Sequence, residues 1–253
     1  MQDKYAGDVG DFGKFVMLDQ INRITLGELR LGINWYLTTR VEPNSNDGRH
    51  VAYLNATNPS ATRFEHCNPD IYEKLRDVVK NERSVRALEN NGILPTDTIF
   101  FSAGVPFGSS TLAQRISLRE LWLKQSLEHL QEADVLFLDP DNGIQTPNVR
   151  KTQMRAMKYA FVDEIREYFD CCNILVIYSH RDRTPANEYM QRFVTVANQL
   201  NNSVQMKIIR FKRVSVRDYF FLYKKPYTSI VHELLTKLTT APFDFMFEQL
   251  VLT

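Results

Sequence analysis

Short apolar runs alternate along this chain with stretches of helical periodicity, and that alternation restricts the fold more than any other feature. The runs GINWYL (32–37), VAYL (51–54), TIFFS (98–102), VLFL (135–138) and NILVIYS (173–179) are apolar almost throughout, as strands buried on both faces require. Around them, residues 11–25, 70–90, 115–132, 153–169, 185–201 and 227–239 repeat apolar side chains at helical spacing. Two β-rich runs, VQMKIIRF (204–211) and VRDYFFLYK (216–224), follow one another near the end. The pattern predicts an α/β fold: a mainly parallel, doubly wound (Rossmann-like) sheet with helices on both faces and an antiparallel C-terminal strand pair. No repeat, low-complexity segment or linker divides the 253 residues, so one α/β domain over 1–253 is expected.

Composition narrows the partners. Lys and Arg number 31 against 30 Asp and Glu, a net charge of +1, so a basic nucleic-acid surface has to be local. Three cysteines, two of them adjacent at Cys171 and Cys172, give neither a disulfide framework nor paired zinc spacing, and a reducing cytoplasm is expected. No run approaches 18 apolar residues and the opening MQDKYAGDVGDFGKF has no apolar leader core, so no membrane association is expected.

In open α/β sheets ligands bind beyond the carboxyl ends of the strands. There, VLFL runs straight into Asp139-Pro140-Asp141-Asn142-Gly143, two carboxylates and a carboxamide on a turn that Pro140 and Gly143 can hold. The alternative is a polar turn in which Asp141 or Asn142 caps a helix. After NILVIY come Ser179-His180-Arg181-Asp182-Arg183, suited to a phosphate or a developing negative charge, or else a solvated turn. Near the start, Asp8, Asp11 and Lys14 sit among three glycines spaced by three, where free amides could reach a ligand oxygen or where Asp11 could cap the opening helix. Arg210, Arg213 and Arg217 lie among aromatics in the closing strand pair, as a nucleic-acid groove or a solvated edge hairpin would have them. Trp35 and Tyr36 end a strand, where each could stack on a base or fill core. His50, His66, His129 and His232 lack metal-ligand spacing, so no metal is expected, although Asp8, Asp139 and Asp141 could accept Mg²⁺.

Three motifs carry a resemblance: the opening Lys4–Lys14, the strand end Trp35–Thr38 and the loop Leu138–Gly143. With them the chain resembles a bacterial family of KYxGDxGDFGK and LDPDNG signature that is similar to anti-phage DNA glycosylases. It is more distantly similar to ribosomal RNA adenine-N6 methyltransferases, whose DPPY loop would align with Asp139–Asn142. Against the second pattern, the Gly-rich turn that holds S-adenosylmethionine is replaced by WYLTTRVEPNSND, the base-stacking aromatic by Asn142, and Asp141 adds a carboxylate.

These departures favour hydrolysis of a base–sugar bond, in which a carboxylate steadies an oxocarbenium-like sugar. The expectation is a DNA glycosylase acting without a cofactor on a modified pyrimidine of phage DNA. Its catalytic group would be Asp139 or Asp141, with Asn142 reading the base, Asp8 and Asp11 supporting the pocket, and His180 and Arg181 neutralising the leaving base or a phosphate. Lys14, Arg183, Arg210, Arg213 and Arg217, with Trp35 and Tyr36, would bind nucleic acid. The alternatives are an S-adenosylmethionine-dependent N6-adenine methyltransferase and a non-catalytic nucleic-acid binding module.

Overall fold

The computed structural model describes residues 1–38, 48–107, 111–200 and 204–251. Part of the polar loop expected after GINWYL, and residue 201 of an expected helix, lie outside them. A seven-stranded sheet runs through the molecule. Its strands in chain order are β1 (Leu31–Asn34), β2 (Ile99–Phe101), β3 (Val135–Leu138), β6 (Ile174–His180), β7 (Val204–Phe211), β8 (Arg217–Lys224) and β9 (Phe247–Leu250), and β4 (Gly143–Ile144) and β5 (Tyr159–Ala160) form a separate parallel pair. The spatial order is β2-β1-β3-β6-β8-β7-β9. The strands β2, β1, β3 and β6 pair in parallel, β8 runs antiparallel between β6 and β7, and β9 adds antiparallel to β7. The expected fold class is therefore the observed one.

Eight helices surround this sheet among the described residues: α1 (Val9–Ile24), α2 (Ala61–Cys67), α3 (Pro69–Asn81), α4 (Val85–Asn90), α5 (Leu112–Leu130), α6 (Val162–Cys171), α7 (Ala186–Gln199) and α8 (Thr228–Leu238). Side chains alternate between two apolar layers because successive strand residues point to opposite faces. Val135, Phe137, Val176 and Phe221 join α1, α3 and α8 on one face, while Leu136, Leu138, Ile177 and Phe220 join α5, α6 and α7 on the other. Burial on both faces is why those strands read as unbroken apolar runs.

Three expectations need correction, and one strand lies outside any expectation. VAYL is a 3-10 turn at Ala52–Leu54, not a strand; Tyr53 is pulled inward, its ring packed edge-on to Phe12 and its hydroxyl donating to the Gly7 carbonyl. The helix expected over 70–90 is two, broken at residues 82–84 where Ser84 caps α4 through the Ala87 amide. The helix expected over 153–169 starts only at Val162, because 154–158 form a 3-10 turn and Tyr159-Ala160 pair with Gly143-Ile144. The edge strand β9 has no apolar run of its own and carries no strand signal in the sequence.

Candidate functional site

Helix α1 starts at Val9 because Asp8 caps it: Asp8 Oδ1 accepts from the Gly10 amide at 2.7 Å and the Asp11 amide at 3.2 Å. The cap is therefore Asp8, not Asp11, and these two amides face a carboxylate rather than a ligand oxygen. The other Asp8 oxygen takes Arg217 Nη2 at 2.9 Å, reaching across from β8. A Cβ on residue 10 would collide with that guanidinium, so glycine there lets helix and arginine approach.

One turn on, Lys14 lies between two carboxylates. Its Nζ donates to Asp11 Oδ1 at 2.8 Å and to Asp139 Oδ2 at 2.6 Å, while Asp11 Oδ2 accepts from the Gly7 amide at 2.9 Å. The ammonium also stands 5.3 Å from the Trp35 ring centre. All three charged side chains are buried. Burial pushes the Asp11 carboxyl up to about 6, with Asp8 and Asp139 adding to the rise and Lys14 opposing it. Burial works against the Lys14 ammonium, yet Asp11 and Asp139 hold its pKa above the ordinary value.

The loop after β3 is fixed from the amino-terminal end. The α-amine of Met1 donates to the carbonyls of Trp35 at 3.0 Å, Tyr36 at 3.2 Å and Asp139 at 3.1 Å, and pairs with Asp141 Oδ1 at 2.8 Å. Gln2 Nε2 and Thr38 Oγ1 donate to Asp141 Oδ2 at 2.6 and 3.3 Å. Burial alone would raise the Asp141 carboxyl, but the amine and Gln2 hold it below the usual carboxylate range. Gly143 turns the chain at φ 95, close against Ser179, where a side chain would not fit.

These groups surround one cavity of about 200 Å³, lined by Met1, Tyr5, Asp8, Gly10, Asp11, Lys14, Gly48, His50, Asp139, Asp141, Asn142, Tyr178, His180, Ser215 and Arg217. The opening, Asp139–Gly143 and Ser179–Arg183 clusters each contribute residues to this cavity, at the carboxyl ends of β3 and β6. Asp139 joins through Lys14, whereas both oxygens of Asp8 and both of Asp141 are engaged by partners within the protein. His180 stands exposed on the wall. Burial raises the Tyr178 hydroxyl to about 12, Arg217 opposing and Asp139 and Asp8 adding to the rise.

Several candidates are elsewhere. Trp35 and Tyr36 are fully buried: Trp35 stacks on Phe100 and donates to Glu89, and Tyr36 packs on Trp122, so neither presents a face to a base. Lys14 is enclosed among carboxylates and rings rather than open to a phosphate. Arg181 lies over the Tyr189 ring and donates to the Asp182 and Thr184 carbonyls, and Arg183 is exposed but does not line the cavity. Arg210 makes a two-pronged pair with buried Asp218 at 2.8 and 3.0 Å, and Arg213 donates to the Phe245 carbonyl. Arg217 turns inward to Asp8. The expected basic hairpin is thus a set of internal contacts.

Met1, Tyr5, His50, Tyr178 and Ser215 also line the cavity, a role the sequence assigns to none of them. Tyr178 was within reach, since it shares a strand face with His180 two residues on. The others reach the cavity only through the fold. Among the described residues no three His, Cys, Asp or Glu side chains group as metal ligands; Asp8, Asp139 and Asp141 each meet a cation of the protein instead. No helix among the described residues is long and apolar enough to cross a membrane.

No protein-family model matches the chain, and no curated protein does. Among solved structures, it is similar to the crystal structure of protein LPL1258 from Legionella pneumophila str. Philadelphia 1, of family model DUF519. The identity is 10%, 97% of each chain is covered, and the TM-score is 0.47.

Proposed function

We propose that the cavity receives a single modified pyrimidine turned out of DNA, phage DNA in particular, and that the protein hydrolyses its N-glycosidic bond. The observation that carries this reading is the meeting of Asp139, the Lys14 and Arg217 cations and the rim residues Asn142 and His180 around a space of about 200 Å³. That space suits one planar base and is smaller than the roughly 300–1,000 Å³ of ordinary cofactor pockets. In the reaction the bond from C1′ to the base nitrogen breaks and its electron pair leaves with the base. Asp139 steadies the sugar cation and takes a proton from the water that adds to C1′, while His180 supplies a proton to the departing base. Arg217 favours negative charge developing on that base, and Asn142 reads its polar edge. Asp8 and Asp141, bonded on both oxygens, act as positioning residues for Arg217 and for the loop.

A methyl-transfer reading fits less well. The crevice between the carboxyl ends of β1 and β3, the point where the strand order reverses, is where an open α/β sheet would hold an adenosyl cofactor. Met1 and Gln2 fill it. The test is incubation with duplex DNA containing 5-hydroxymethylcytosine, with and without glucosylation, followed by hot alkali. Free base and alkali-labile breaks are expected. Intact DNA together with micromolar binding of S-adenosylmethionine would overturn the proposal in favour of a methyltransferase, and a gel shift without breaks would favour a binding module.

A further inference from the structure

If the cavity takes an everted base, the strand on either side of that base needs a surface, and the hairpin arginines are already engaged inside the protein. Asn142 lines not only the carboxylate cavity but also a second cleft of about 410 Å³, whose other walls come from residues 153–159. The stretch 142–162 carries Arg150, Lys151, Arg155 and Lys158 and no acidic residue. Lys151 is paired with Asp163 and Glu164. Arg150 and Arg155 are exposed, and among the described residues Arg155 donates to uncharged oxygens, Gln153 Oε1 and the Asn148 carbonyl. Arg155 and Lys158 line the cleft together with Met154, 44% exposed, and half-buried Tyr159, while Arg150 is an exposed neighbour on the same segment, outside the lining.

Resting on the glycosylase reading, we infer that this cleft is the docking surface for the DNA strand next to the everted nucleotide. Arg150 and Arg155 meet its phosphates, and the neighbouring base lies on Met154 and Tyr159. Charge complementarity selects the occupant: a run of cations with no acidic residue suits a polyanion, and Asn142 lines both the cleft and the cavity, which places them side by side.

The test is fluorescence anisotropy of a fluorescein-labelled DNA duplex carrying one tetrahydrofuran abasic analogue, over a range of salt. Each phosphate contact contributes about 0.9 to the slope of log affinity against log salt, so R150A/R155A should lower the slope by about 1.8 and weaken low-salt binding at least tenfold. Arg213→Ala, in the hairpin, should leave the slope unchanged. Either single variant should lower it by about 0.9, which keeps the test open should the double variant misfold. A wild-type slope in the folded R150A/R155A variant, while the wild-type protein binds and excises, would overturn the cleft assignment alone. Failure of the wild-type protein both to bind this duplex and to release base would overturn the functional reading with it.

Discussion

Two buried ion networks lie on opposite faces of the sheet, and they differ in what they leave over. Under α5 and α6, Arg119 meets both oxygens of Glu164 and the carbonyls of Ala156 and Tyr159, and Glu164 also accepts from the Phe161 amide. Glu164 is wholly buried, and neither side chain lines the cavity. Under α1, Lys14 holds Asp11 and Asp139 in an equally buried group, but that group forms a wall of the cavity. Burial of charge is thus common to both, and access separates them. The first network joins the 156–164 segment to α5; the second carries carboxylates to where a ligand can meet them.

The comparison breaks most visibly under substitution. Glu164→Ala leaves the Arg119 guanidinium buried without its anion and should cost about 3–5 kcal/mol in denaturant unfolding, with base excision per folded molecule unchanged. Excision lost in proportion to a smaller stability change would erase the distinction. Lys14→Met puts the same kind of loss at the cavity: unfolding free energy should fall by about 2–4 kcal/mol, and excision should fall far beyond the loss of folded protein. Gly10→Ala drives the Arg217 guanidinium off Asp8 and should cost about 1–3 kcal/mol with a drop in excision, read from paired melting and turnover curves.

Acidity sharpens the contrast further. The Asp11 carboxyl is raised from 3.8 to about 6, so the folded state binds its proton more tightly than the unfolded chain does. This group's contribution is fully present below pH 3.8 and is lost as pH rises through about 6. Unfolding titrations of wild type against Asp11→Asn should therefore show wild type losing relative stability across that window, by about 1–3 kcal/mol. A flat difference would contradict the burial of an ionising Asp11. The smallest effect belongs to Arg213→Ala: the half-buried arginine gives up one hydrogen bond to the Phe245 carbonyl, so stability should fall by about 0.5–1.5 kcal/mol by thermal melting.

The sheet was legible because a strand buried on both faces has to be apolar, as VLFL and NILVIYS are. VAYL has the same composition, and four residues cannot separate a strand from a tight turn that tucks Tyr53 beneath Phe12. At the site, Asp139 was legible because a carboxylate directly after an apolar strand needs a partner, and Lys14 and Asp8 stood beside glycines at a helix start. Arg210 pairs within the hairpin, with Asp218 eight residues on, whereas the partners of the other two arginines are remote: Asp8 is 209 residues from Arg217 and the Phe245 carbonyl 32 from Arg213. Arg119 and Glu164, 45 residues apart, carry no local signature either. Local chemistry announces which groups must be satisfied; only the fold says by what.

The most direct measurement compares Asp139→Asn with wild type in single-turnover base release from the 5-hydroxymethylcytosine duplex and in anisotropy on the tetrahydrofuran duplex. With Asp139 assisting bond cleavage, release should fall at least a thousandfold, about 4 kcal/mol, while affinity stays within tenfold. Equal losses of release and affinity in a folded variant, or release at the wild-type rate, would contradict that role.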